Sequence, residues 1–310
     1  MKLFIKSFLI LFFLFPSCVF AINIEAESHI KNGKMLLASG KPQEAIVEFQ
    51  KAIALDMNNT DAIFYTGQAY LQLGQFDMAI QNYQRVAELL PDYAEPHYYI
   101  GISYYYKGEA QRALDYFDKA IRINQKYVDP YYTKAIIYYD RGELNEAMKM
   151  WDKVLAINPI HTGAEINLAV AYYYNGRNKE AIQMAEKAYR QKPHDQLIAF
   201  TLGWLYVKTG EKDYARKTLQ KTVELCKDSS FTFKASALIF IMDGKLDQAR
   251  EMVEKSLALD PNDTSALIIS GEIYEKKGEK QKAIETYQKA IKLDRNDPDP
   301  QKALQKLSGK

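Results

Sequence analysis

The sequence predicts an all-α solenoid of stacked helix pairs, and three observations carry that prediction. A 34-residue period runs without insertion or deletion to Asp297, in eight blocks that begin at Ala26, Thr60, Ala94, Val128, Thr162, Gln196, Ser230 and Thr264. Block position 15 is glycine in every block: Gly40, Gly74, Gly108, Gly142, Gly176, Gly210, Gly244 and Gly278. Position 8 is always small (Gly33, Gly67, Gly101, Ala135, Ala169, Gly203, Ala237, Gly271), and position 20 is always alanine, from Ala45 to Ala283. Of the 15 glycines, 13 stand at position 8 or 15, so they mark the period rather than loose loops.

Each element of a block follows from local chemistry. The position 15 glycine ends a first helix in the left-handed conformation that a residue with a Cβ resists. The stretches between glycines carry apolar residues at three- and four-residue spacing, such as Ile80, Tyr83, Val86 and Leu90, which predicts amphipathic helices. Small side chains at positions 8 and 20 let the two helices approach closely. Position 11 is Leu36 in the first block and aromatic in the others (Tyr70, Tyr104, Tyr138, Tyr172, Tyr206, Phe240, Tyr274), a regularity that indicates core packing. Pro91, Pro159, Pro193 and Pro261 fall at position 32, where proline stops a second helix. Pro96 and Pro130 fall at position 3, inside a first turn that needs no N–H there. One helix pair cannot bury its apolar face alone, so neighbours must stack. Block one is atypical, with His29 and Asn32 at packing positions, as an N-terminal cap would be. After block eight, Asp299 is expected to N-cap a last helix with Pro300 at its first position. Its Ala303, Leu304 and Leu307 would cover repeat eight while Gln301, Lys302, Gln305 and Lys306 face water. The predicted organisation is 1–21 leader, 22–297 repeats, and 298–310 capping helix and tail.

The leader is read from its pattern. Lys2 and Lys6 precede a nine-residue apolar run, Ser7 to Phe15, broken by Pro16 and followed by Ala21 as a small exit residue; this is the form of a cleaved secretory signal peptide. The run is well short of the ~20 residues that span a bilayer. Two other readings of the same segment are an uncleaved anchor and acylation at Cys18. Cleavage after Ala21 leaves Cys226 as the single cysteine, so the fold must hold by packing without an internal disulfide. The composition, 47% hydrophobic and 26% charged, excludes wholesale disorder. With Lys2 and Lys6 removed, 39 basic residues balance 39 acidic ones, which argues against a nucleic-acid binder.

The residues at positions 8, 11, 15, 20 and 32 resemble the tetratricopeptide (TPR) pattern over essentially all of the mature chain. The resemblance implies a right-handed superhelix, with eight repeats making about one full turn. It also implies a concave ligand groove lined by positions 2, 5, 9, 12 and 13 of the first helices. The candidate partner-binding residues there are Tyr98, Tyr105, Tyr106, Tyr132, Tyr139, Tyr173, Tyr174, Phe200 and Trp204. Tyr106, Tyr174 and Trp204 depart most from the usual pattern; the other tyrosines are equally consistent with scaffold. Polar residues flank this aromatic centre, as in many recognition surfaces. Two familiar TPR specificities are not matched: the carboxylate clamp lacks its Lys, Asn and Arg set, and position 6 lacks an asparagine ladder.

No catalytic spacing accompanies the groove: G-x-S-x-G, a phosphate loop and H-E-x-x-H are all missing from the sequence. Asp140 and Lys208 are the ionisable groups the register places in its centre, and the four histidines share no helical face. No metal or cofactor is expected. The chain is therefore expected to be a non-enzymatic adaptor, exported to a bacterial periplasm or envelope, or secreted if the source is eukaryotic. It would capture a segment of an envelope protein, as architecturally similar factors such as type IV pilus pilotins and polysaccharide-export components suggest. A glycan- or peptidoglycan-binding module is the alternative, since tyrosine faces also stack on sugars. Self-association through the apolar face around Phe231 and Met242 is a further expectation, and membrane attachment would come through Cys18 or an uncleaved anchor.

Overall fold

The computed structural model describes residues 24–309; the leader segment 1–21, with Cys18, lies outside the described residues. The described chain is all-α. Its contacts divide it into two compact units, one ending at Pro130 and the other beginning at Tyr131. The first contains α1 (24–38), α2 (Pro42–Leu55), α3 (Thr60–Gln72), α4 (Phe76–Leu89), α5 (Ala94–Tyr106) and α6 (Ala110–Ile123). Helix α7 (Val128–Asp140) starts in the last residues of the first unit and runs into the second. The second continues with α8 (Leu144–Ile157), α9 (Thr162–Tyr174), α10 (Asn178–Gln191), α11 (Gln196–Thr209) and α12 (Lys212–Leu225). It ends with α13 (Ser230–Met242), α14 (Leu246–Leu259), α15 (Thr264–Lys276), α16 (Lys280–Leu293) and α17 (Pro298–Ser308).

The turn inside every helix pair is the same hydrogen-bonded motif. The glycine at position 15 takes a positive φ in all eight repeats, +74° at Gly176 for example. Its N–H bonds back to position 12 (Gly176 N to Tyr173 O, 2.9 Å), and the next N–H reaches position 11 (Arg177 N to Tyr172 O, 2.8 Å). These two bonds satisfy carbonyls that a helix end would otherwise leave open.

The turn between pairs is fixed by a different device. Position 34 supplies the N-cap of the next first helix: Asn59, His161, Asp195, Ser229 and Asp263 each accept a hydrogen bond from the backbone N–H three residues on. The last helix is capped from the same position, by a bond from the N–H two residues on rather than three. Its N-cap is Asp297, which accepts from Asp299 N at 2.8 Å, with Pro298 at the first position. The expected cap at Asp299 with Pro300 is therefore corrected by two residues. Asp297-Pro298 and Asp299-Pro300 are locally identical signals, and the 34-residue register selects the first.

Helix α17 covers the end of the array by packing Ala303, Leu304 and Leu307 against a cluster that includes Leu267, Ile268 and Tyr287. The second helices stop where position 32 requires: α4, α8, α10 and α14 all end two residues before Pro91, Pro159, Pro193 and Pro261.

Within each pair the closest approach has a specific partner. The alanine at position 20 is fully buried in every repeat. At position 8, the missing Cβ of glycine makes room for the side chain at position 24 of the partner helix. A Cβ on Gly33 would lie 2.4 Å from Phe49, on Gly67 2.8 Å from Tyr83, on Gly101 2.5 Å from Phe117 and on Gly271 2.5 Å from Tyr287. In two of the three repeats where position 8 is alanine, position 24 is the smaller Ala185 or Val253; the third has Trp151.

Two substitutions separate these constraints. Gly101→Ala should destabilise the protein by about 1 kcal/mol net, an overpacking cost of about 1–3 kcal/mol less about 1 kcal/mol gained in helix propensity. Adding Phe117→Val should recover part of the loss, so that the double variant costs less than the sum of the singles in urea denaturation. Gly176→Ala meets no neighbour within 4 Å, yet should cost about 1–2 kcal/mol through its positive φ alone; no second-site side-chain change should relieve it.

Candidate partner-binding face

In the first unit, the candidate residues lie on α5. Tyr98 packs between Phe117, at 5.6 Å between centroids, and Tyr127, at 5.4 Å. Tyr105 is half-buried beside Tyr106. Tyr106 stacks on Phe76 at 5.9 Å and is 62% exposed, the most accessible of the nine candidates.

In the second unit, positions 12 and 13 of successive first helices converge on one stretch of the chain, residues 294–299. The Tyr139 hydroxyl of α7 donates to Asp294 at 2.5 Å, and Asn296 donates its side-chain amide to the Tyr139 carbonyl at 2.7 Å. On α9, the Tyr173 hydroxyl lies 2.9 Å from both carboxylate oxygens of Asp299, and the Tyr174 hydroxyl donates to Asp297 at 3.2 Å. On α11, the Lys208 ammonium sits 3.0 Å from Asp299 and donates also to Glu272 of α15. Arg295 lays its aliphatic stem against Gly142, where a Cβ would come within 3.1 Å of its Cδ.

Burial governs the ionisation of this cluster. Asp297 is 3% exposed, and burial pushes its carboxyl up to about 6, aided by the charges of Asp299 and Asp294 and opposed by the Asp299 N–H bond and Lys208. Burial alone would lower the Lys208 pKa, but Glu272 and Asp299 together hold it above the usual lysine value. Burial also raises the hydroxyl pKa values of Tyr139, Tyr173 and Tyr174, reinforced by Asp294, Asp299 and Asp297 respectively. All three are hydrogen-bond donors at neutral pH.

Beneath this stretch lies a cavity of about 190 Å³. Its aromatic walls are Tyr174, Phe200, Trp204 and Phe231, and Asp294 and Asp297 contribute to its lining. Trp204 sits edge-on to Tyr173 at 5.0 Å, so it joins the cavity to the hydroxyl row. Phe200 is buried against Phe231, and the Lys234 ammonium lies over both rings, at 4.9 and 4.7 Å, while paired with Asp263 at 2.7 Å. Tyr132 stands apart. Its ring contacts His161 at 4.9 Å, and its hydroxyl accepts from Asn167 at 3.2 Å. Met242 is half-buried among the aliphatic and aromatic side chains of α11 and α13.

The structure thus brings Tyr139, Tyr173, Tyr174, Phe200 and Trp204 together. It adds Asp294, Asp297 and Asp299, acidic groups that the first-helix positions could not reveal, and it joins to them, through Lys208, Glu272 from groove position 9 of repeat eight. The available signal was the run Asp-Pro-Asp-Pro at 297–300, a proline-restricted acidic stretch following the last full repeat. Among the described residues there is no cluster of metal-ligating side chains, and no helix is long and apolar enough to cross a membrane.

Models of the TPR repeat match residues 33–74 and 67–108, and tetratricopeptide-repeat models match 94–127, 132–196, 172–228 and 240–307. The chain belongs to the tetratricopeptide repeat family. Its solved neighbours are TPR structures as well. The C-terminal part of a TPR repeat-containing protein from Cytophaga hutchinsonii is 19% identical over 77% of this chain and 98% of that one, with a TM-score of 0.57. PilF of Pseudomonas aeruginosa is 17% identical over 69% of this chain and 97% of its own, also at 0.57. Yeast Tom70 is 17% identical over 92% of this chain and 64% of its own, at 0.56. At these identities the likeness shows the fold, an all-α TPR array. No curated protein matches the sequence significantly. A TPR array is in general a protein–protein interaction scaffold, and the aromatic, hydroxyl-lined first-helix face is its candidate site here.

The buried carboxyl makes this face sensitive to pH. The folded pKa of Asp297, about 6, lies above the usual carboxylate value. The folded state therefore holds more protons than the unfolded one between about pH 4 and 6, and the stability this group confers is lost as pH rises through that window. Asp297→Asn keeps a competent N-cap without the charge. Its stability advantage over wild type should grow by about 2 kcal/mol from pH 4 to pH 7, at about 1.4 kcal/mol per pH unit within the window. Urea midpoints measured in parallel across that range would show a flat difference if Asp297 ionised normally.

Proposed function

We propose that this TPR protein is an exported, non-enzymatic adaptor that holds an extended segment of a partner protein on its first-helix face. One observation carries the reading: in the second unit that face already holds polypeptide. Residues 294–299 are bound there by side chains of α7, α9 and α11, through tyrosine hydroxyls and a lysine. Tyrosine suits this role because it offers wide contact area with little rotamer entropy to lose. Export to the periplasm or envelope is supported by the basic start, the apolar run and Ala21 at the N-terminus.

The partner role is tested by crosslinked pull-down from the native envelope, with wild type beside Tyr106→Ala/Tyr173→Phe/Lys208→Met of equal helicity. Proteins recovered by wild type and lost by the variant are the expected result. Identical recovery by both would remove the face from consideration, and recovery on insoluble polysaccharide without protein would move the assignment to glycans. For export, the intact mass of the mature protein should correspond to a start at Ile22. A lipid-bearing start at Cys18 or a retained Met1 would replace that reading.

A further inference from the structure

We propose that residues 294–299 are a displaceable ligand held in cis, and that the partner of this face is a protein segment of the same chemistry: carboxylates spaced along a short turn that enters a proline-started helix. This rests on the first-helix face being the partner site. The groups that face the segment define what can replace it. Tyr139, Tyr173 and Tyr174 present three hydroxyl donors, Lys208 presents an ammonium, and the Tyr139 carbonyl accepts an amide. A row of donors, with one cation shared between Glu272 and the segment, selects an acceptor-rich segment that brings carboxylates to the hydroxyls and the ammonium, and charge-assisted bonds of this kind are the stronger ones.

Two features separate a ligand from a permanent strap. The segment borders a partly open cavity of about 190 Å³, walled by Tyr174, Phe200, Trp204 and Phe231 on one side and by Lys234, Asp294 and Asp297 on the other. A partner that placed one apolar side chain there, beside its carboxylates, would gain contacts that the chain's own Asp294 and Asp297 do not make. The segment also carries a cost to its own docking, because Asp297 is nearly fully buried without a lysine or arginine bonded to it. The competition is intramolecular. A tethered segment acts at an effective concentration of the order of millimolar, so an outside segment must bind the open face well to displace it.

The test uses the full mature chain and a fluorescent synthetic peptide spanning residues 293–301, blocked at both ends, as the acidic probe: it carries Asp294, Asp297 and Asp299 against Arg295 alone. Asp294→Ala/Asp299→Ala weakens the tethered segment and keeps the Asp297 cap. This variant should bind the probe at least tenfold more tightly than wild type does. Adding Lys208→Met should abolish that gain, and a probe with its aspartates replaced by asparagine should not bind. A double variant of wild-type helicity that binds no better than wild type overturns the proposal. Should the double variant lose helicity, hydrogen exchange on wild type decides. The amides of 294–297 and 299 are expected to open locally, well before those of α9 and α11, and exchange only by global unfolding would make the segment a structural strap. Failure of the probe together with success of the pull-down would leave the face a partner site of other chemistry. Success of the probe with failure of the pull-down would leave the ligand chemistry in place and remove the envelope partner.

Discussion

Everything in this protein rests on how closely two helices can approach within one repeat. Where position 8 is glycine, the side chain at position 24 fills the space a Cβ would need, as the rings of Phe117 and Tyr287 do at Gly101 and Gly271 and Leu219 does at Gly203. That contact sets the spacing of the pair, and the turn at position 15 sets its angle. Once both are fixed, the apolar stripe of each pair has one way to meet the next. Positions 20 and 27 then become fully buried in repeat after repeat, including the polar Thr222 and Ser256, which find hydrogen bonds inside. Burial of small side chains at such density leaves little tolerance for added volume.

What the sequence revealed was whatever is local and repeated. Helix ends, glycine turns and proline stops each depend on a few adjacent residues, and eight copies make the pattern plain. The pairing of position 8 with position 24 was present as well, since Ala169 and Ala237 accompany the small Ala185 and Val253, but a list of small residues does not say what they accommodate. The last cap was misplaced because Asp297-Pro298 and Asp299-Pro300 give the same local signal.

The site was legible in its parts but not in its assembly. Tyr139, Tyr173, Tyr174, Phe200 and Trp204 could be selected by register, because the first-helix face is a property of period. That Asp294, Asp297 and Asp299 would lie against them could not, since those contacts join residues separated by 123 to 155 positions. Such closure comes from the sum of many small rotations between repeats, which no single repeat encodes. Tyr132, at position 5 of its block, contacts His161 and Asn167, whereas Tyr173, at position 12, faces the acidic stretch.

The chain has two tryptophans, Trp151 and Trp204, and both belong to the second unit. Trp151 is buried 6.1 Å from Tyr139, and Trp204 lies edge-on to Tyr173. Each indole is therefore a neighbour of a tyrosine that grips the acidic stretch, while the first unit carries none. Intrinsic emission is consequently a local optical signal: excitation at the red edge, where tyrosine is silent, observes one half of the molecule and the surroundings of its hydroxyl row, without any label attached.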